Sequence, residues 1–167
     1  EIKKYPKLTE VGSIRKETLI GHIFESDTYD GTPYGEGCYF TQDQIREIID
    51  YAAAKGINII PEIDLPGHML AALAAYPELG CTGEAYKDSD FCVGNEDVFT
   101  FLETVLTEVM EMFPSEYIHI GGDEANKTHW KTCLKCQQRM QEEGLADVDE
   151  LQSYMIKRMA RYVESKG

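Results

Sequence analysis

The sequence predicts an α/β fold of the (β/α) barrel kind, with parallel strands inside and helices outside. Three observations predict it. Apolar patterning runs helix, strand, helix, strand, helix along the chain, and strands joined through helices pair in parallel. Two polar clusters, Asp64 with His68 and Asp123 with Glu124, fall at the C-terminal ends of the two strands, where α/β folds build their sites. Each strand has one aliphatic face, while the other carries Glu62 and Asp64, or His119 and Asp123. A flat doubly wound sheet needs both faces apolar, so the polar face suits a barrel interior.

Residues 1–40 lack strong periodicity, and Lys3–Pro6 reads as a terminus or linker. From Ile20 to Phe40 the chain is punctuated by Gly21, Gly31, Pro33, Gly35 and Gly37. That composition predicts a long surface loop, with a short hairpin near Ile20–Glu25. Tyr29, Tyr34 and Tyr39 are candidates to line a sugar or aromatic site. Thr41 to Lys55 is a helix: Thr41 and Gln44 form a capping box, and Ile45, Ile48, Ile49 and Ala52 share one face. Gly56 stops it. Ile57–Asp64 then reads as a strand with Pro61 costing one ladder bond, and residues 68–75 as a short helix ended by Pro77. Asn95 caps the next helix, whose buried side is Phe99, Leu102, Leu106, Val109 and Phe113. Tyr117–Ile120 is the second strand. A helix over 128–143 follows, stopped by Gly144. Asp147 and Glu150 box the last helix, whose buried side is Leu151, Tyr154, Met155, Met159, Tyr162 and Val163.

A closed barrel takes eight strands and about 250 residues. Two strands are therefore expected to be a piece, roughly a quarter to a half of a parent domain. The chain also opens Glu1-Ile-Lys-Lys, without Met, as though cut from something longer. A truncated sheet exposes strand edges, so self-association is expected of it.

At 167 residues and 43% hydrophobic, the chain can bury a sizeable core. No run of about 18 apolar residues predicts a membrane span. A net charge of −14 argues against nucleic acid or an anionic membrane as partner. Five cysteines, at 38, 81, 92, 133 and 136, leave at least one thiol without an intrachain partner. Cys133-x-x-Cys136 alone is half a zinc site, and no second pair stands at finger spacing, so neither metal nor cofactor is expected. Cys81 and Cys92 flank a polar loop, and a disulfide between them is expected there.

The stretch Tyr117-Ile-His-Ile-Gly-Gly-Asp-Glu124 organises the rest. A buried strand runs into two glycines, which admit close approach of a backbone or ligand. Two adjacent acids follow at once, the pattern of a catalytic acid pair. Together with Pro61-Glu-Ile-Asp-Leu-Pro-Gly-His68, this stretch resembles the two signatures of the family 20 glycoside hydrolases, the β-N-acetylhexosaminidases. Tyr5–Glu10, Glu78–Cys81 and Phe91–Asn95 are also similar to bacterial members, so the resemblance covers nearly the whole chain.

The resemblance implies a (β/α)8 TIM barrel of which this chain holds about strands 3 and 4 with flanking helices. It implies Glu124 as general acid/base and Asp123 as the residue that orients the substrate's 2-acetamido group, with Asp64 and His68 as the supporting pair. Burial and the acidic neighbour would favour the protonated form of Glu124. The implied partner is a glycan bearing terminal N-acetylhexosamine, and the implied setting is extracytoplasmic. The family's sugar-gripping Arg, its strand 2 Asp and its later Trp and Tyr residues have no match here, and Trp130 does not fit the family's Trp positions. His119 and Glu62 are expected to meet as a buried polar contact inside the barrel. Two rival readings are a metal-dependent hydrolase using Asp64, His68, His119 and Asp123, and a non-catalytic carbohydrate-binding or assembly fragment.

Overall fold

Local capping sets the start of the three longest helices. The computed structural model describes residues 1–22, 24–33, 35 and 37–167. Its helices are α1 (Lys7–Glu10), α2 (Gln42–Ala53), α3 (Leu70–Ala75), α4 (Glu96–Met112), α5 (Leu134–Glu143) and α6 (Val148–Glu164). Thr41 and Gln44 close both arms of the capping box before α2. The Asn95 side chain accepts from the Asp97 N–H at the start of α4. Asp147 accepts from the N–H groups of Asp149 and Glu150 at the start of α6. These side chains satisfy donors that a helix N-terminus leaves unpaired.

Two expectations need correction. The helix expected over 128–143 is broken into a 3₁₀ turn, His129–Lys131, and α5, because Cys133 is extended between them. The helix expected from His68 starts at Leu70, since His68 itself is left-handed, with φ 58°. Lys3–Pro6 is irregular and leads into α1, a helix too short to show a period. A hairpin does form around Ile20–Glu25: Leu19 and Tyr29 make an antiparallel bridge, and the Glu25 and Ser26 N–H groups both donate to the His22 carbonyl at 2.9 Å. Tyr39 lines a surface hollow with Thr9, Glu10, Ser13 and Ile14, and Tyr34 lies outside the described residues.

The core sits between α4 and α6 and under the segment that leads into α4. Phe99, Leu102 and Leu106 of α4 pack with Leu151, Met155 and Met159 of α6, all at 1% exposure or less. Burying each such side chain is worth roughly 1.5–3 kcal/mol. Trp130 fills the same core, and its indole N–H donates to the Phe91 carbonyl at 2.9 Å. On the surface, Glu96 of α4 ties α5 and α6 together. It accepts from Arg158 at 2.7 and 2.9 Å and also from Arg139. Arg158, then Arg139, hold its carboxyl down to about 2.

The two segments read as strands lie side by side in parallel. Glu62 and His119 form a parallel bridge. The His119 N–H donates to the Pro61 carbonyl at 2.9 Å, and the Ile63 N–H to the His119 carbonyl at 2.9 Å. The ladder is short for a physical reason: the donor that would continue it toward Tyr117 belongs to Pro61, which has none. The period-2 faces hold except at the start: Pro61 is buried and Ile59, Ile63, Ile118 and Ile120 are half-buried, while Ile60, Glu62, Tyr117 and His119 are exposed, but Ile57, on the aliphatic face, is 59% exposed. Ile48, Tyr51, Ile57, Ile60 and Tyr117 leave apolar surface open across α2 and these segments.

Candidate active site

Each parallel segment delivers one half of a carboxylate–imidazole cluster. The 57–64 segment ends in Asp64, and the turn Leu65-Pro66-Gly67 swings His68 back over it. Leu65, Pro66 and Gly67 are all buried, so the turn is fixed from below. The 117–120 segment ends in Gly121-Gly122, which bring Asp123 and Glu124 to the same place. Asp64 accepts from the Gly122 N–H at 3.2 Å through Oδ1. Gly121 cannot carry a side chain here: a Cβ would stand 1.7 Å from Asp64 Oδ1, at a φ of +66°. The other face of the loop is held by α6, where the Gln152 amide donates to the Gly122 carbonyl at 2.6 Å.

His68 is the hinge of the cluster. Its Nδ1 meets Asp64 Oδ2 in a short hydrogen bond, and its Nε2 lies 3.2 Å from Glu124 Oε2. The Asp64 carboxylate, and after it Glu124, hold the imidazole above its ordinary value. Because Asp64 can only accept, Nδ1 carries the proton toward it. Nε2 is then free to exchange a proton with Glu124. An imidazolium donates to the Glu124 carboxylate, and a neutral ring accepts from the protonated acid. Asp64, His68 and Asp123 also bring their polar atoms within 4.8 Å of one another.

Exposure divides the cluster. The Asp64 side chain is 16% exposed, His68 50% and Glu124 77%. The burial expected around Glu124 is not supplied by the described residues. Glu124 is presented on a left-handed backbone, with φ 51°, at the tip of the loop. His119 and Glu62 do approach, at 3.2 Å between Nδ1 and Oε1, but both side chains are more than half exposed rather than buried. His119 Nδ1 also accepts from the Gly121 N–H at 3.1 Å, which turns it away from the Asp64 cluster.

Sequence reasoning missed the residues that brace this loop. Buried Asp90 accepts from the Lys127 N–H at 2.8 Å, and Lys127 Nζ reaches Asp149 of α6 at 2.5 Å. Asp88, also buried, accepts from the Thr82 hydroxyl at 2.5 Å and faces His129 Nδ1 at 2.6 Å. The sequence signal was two acids flanking a serine just before an apolar run, Asp88-Ser-Asp90. The expected Cys81–Cys92 disulfide is not formed, and all five cysteines are free. Cys81 and Cys92 turn instead toward Cys136 and Cys133.

The catalytic-domain profile of glycosyl hydrolase family 20 matches residues 1–167. The chain belongs to glycoside hydrolase family 20. A β-hexosaminidase of Porphyromonas gingivalis is 46% identical over 100% of this chain, which covers 21% of that protein. Among solved family 20 structures, the β-N-acetylhexosaminidase of Bacteroides fragilis is 42% identical with a TM-score of 0.82, over 100% of this chain and 31% of that one. The exo-β-N-acetylglucosaminidase of Vibrio harveyi, solved with N-acetylglucosamine, is 33% identical with a TM-score of 0.82, over 99% of this chain and 27% of that one. The family 20 chain thus spans under a third of the length of each of these relatives.

Proposed function

We propose that the protein carrying this chain removes terminal β-linked N-acetylhexosamine from glycans, with retention and through an oxazolinium intermediate. The observation that carries the reading is the Asp64–His68–Glu124 relay beside Asp123, at the ends of two parallel segments. Those segments take the places of strands 3 and 4 of a (β/α)8 barrel, with residues 1–167 as part of its catalytic domain. Membership of family 20 supports this. An extracytoplasmic setting would fit a glycan substrate of this kind.

Breaking a glycosidic bond needs a proton on a poor leaving group and stabilisation of an oxocarbenium-like centre. Glu124 gives the proton to the glycosidic oxygen. The acetamido carbonyl oxygen of the substrate attacks the anomeric carbon and the leaving group departs. Asp123 accepts from the acetamido N–H and balances the charge that develops on the ring. Water then opens the oxazolinium, with Glu124 taking its proton. The Asp64-anchored imidazole can meet Glu124 in both states, as donor to the carboxylate and acceptor from the acid. With Glu124 so exposed in this chain, the sugar's remaining contacts belong to the rest of the protein, and the isolated 167-residue chain is expected to turn over no aryl N-acetylglucosaminide. A structure of the whole protein with an N-acetylglucosamine-derived thiazoline tests the assignment: Asp123 should meet the acetamido nitrogen, and a nitrogen held elsewhere would refute it.

One observation favours a second reading. Asp64, His68 and Asp123 converge closely enough to share a hard divalent cation. Under the glycosidase reading, a chelator leaves initial turnover unchanged. A loss of turnover that magnesium or manganese restores would favour the metal.

A further inference from the structure

We propose that Cys81, Cys92, Cys133 and Cys136 form a closed tetrathiolate site for a single thiophilic divalent cation, zinc by its chemistry. The four sulfurs all lie within 4.8 Å of one another. Three of the separations are 3.6 Å (Cys92–Cys133), 3.7 Å (Cys92–Cys136) and 3.7 Å (Cys81–Cys136). A tetrahedron with zinc–sulfur bonds of about 2.3 Å has edges of about 3.8 Å. Three of the six edges therefore already match such an ion, and the other three stay within 4.8 Å. The contacts do not resolve into two isolated pairs: Cys92 lies 3.6 Å from Cys133 and 3.7 Å from Cys136, and Cys136 is as close to Cys81 as to Cys92.

The surroundings are built for the cluster. Cys133 is the N-cap of α5 and Cys136 lies in its first turn, where no side chain caps the helix and no acid stands. The positive end of the helix favours thiolates at both positions. Gly94 must be glycine where its segment meets the first turn of α5, since a Cβ would lie 2.1 Å from the Lys135 carbonyl carbon and 2.4 Å from the Cys136 nitrogen. The Cys92 N–H donates to the Leu79 carbonyl at 2.9 Å, which brings Cys92 up to the turn before Cys81. Asp88 holds Thr82 on one side and His129 on the other, so the loop after Cys81 is fastened to the turn before Cys133. Cys92 and Cys136 are buried and the other two half-buried. Four protein ligands leave no open position, which marks a structural centre rather than a catalytic one.

Binding would displace the thiol protons to solvent and leave the metal and sulfur oxidation states unchanged. The ion would pin the excursion after the first parallel segment to the loop that follows Glu124. It is a fastening for the active-site loops and takes no part in glycoside cleavage.

The test uses the full-length protein that carries this chain, purified under reducing conditions without a metal-binding tag. Elemental analysis is expected to give about one zinc per chain, and zinc-edge absorption a sulfur-only shell at about 2.3 Å. Titrating the thiols with a mercurial should release that zinc. Cys136→Ser should lower the zinc content at least about tenfold and the Tm by about 10 °C or more. Cys38→Ser should change neither, because Cys38 is exposed and outside the cluster. If Cys136→Ser fails to fold, the absorption spectrum of the wild type still decides. Metal-free protein with free thiols, a mass lowered by disulfide formation, or a zinc shell of oxygen and nitrogen would each overturn the proposal.

Discussion

At the carboxylate site the working groups face outward: Glu124 is 77% exposed and reaches the protein through one 3.2 Å contact with His68. At the cysteine cluster, which the same two loops build further along, Cys92 and Cys136 are fully covered and each sulfur touches another. The first arrangement leaves room for a substrate between its polar groups. The second has no room for anything larger than an ion. What separates them is closure: a site that must exchange ligands keeps an open face, and a site that holds the chain in place spends its ligands on the protein itself.

That contrast can be broken by substitution. The largest expected effect is on the closed side. Gly94→Ala forces a Cβ to within 2.1 Å of the Lys135 carbonyl carbon, and should destabilise the protein by more than about 4 kcal/mol. Urea unfolding measures it, and a loss below about 1 kcal/mol would show that the two segments can part cheaply. On the open side, Asp64→Asn should lower kcat by roughly 10²-fold, because an amide N–H facing Nδ1 imposes the wrong imidazole tautomer. Its Tm should change little, since the Asn oxygen can still accept from Gly122 N–H. Steady-state kinetics beside a melting curve separates the two effects, and a large Tm loss with unchanged kcat would make Asp64 structural. The smallest effect belongs to neither site. Glu96 is held to about 2, below its ordinary 4.5. Its contribution is therefore present above pH 4.5 and lost as pH falls toward 2. The pair is half-exposed, so Glu96→Gln should cost only about 0.2–1 kcal/mol at pH 7. The difference from wild type should shrink steadily as pH falls from 4.5 through 2 in acid melts, and a gap that stays constant over that range would mean the ion pairs are not its cause.

The two regions also differ in how far they could be read from sequence. Asp123 and Glu124 are chain neighbours at the end of an alternating apolar run, so their juxtaposition is local. Thr41, Asn95 and Asp147 act on donors two or three residues away, and α2, α4 and α6 were legible for that reason. The cysteine cluster depends on contacts 41 to 55 residues apart. Spacing rules for zinc look for a second pair close in sequence, and here Cys81 and Cys92 arrive singly from different parts of one excursion. The break in the 128–143 helix was hidden by the same fact, because Cys133 is extended to serve the cluster rather than by any local helix breaker. The exposure of Glu124 could not be read at all, because burial depends on neighbours that no nearby pattern encodes.

In the proposed mechanism Glu124 moves the proton while the substrate supplies the nucleophile. That mechanism is tested most directly by the kinetics of Glu124→Gln in the full-length protein on aryl N-acetylglucosaminides of graded leaving-group pKa. Turnover should fall by roughly 10²–10⁴-fold for poor leaving groups, and far less for activated ones that need no proton. An equal loss across the series would contradict the acid role of Glu124.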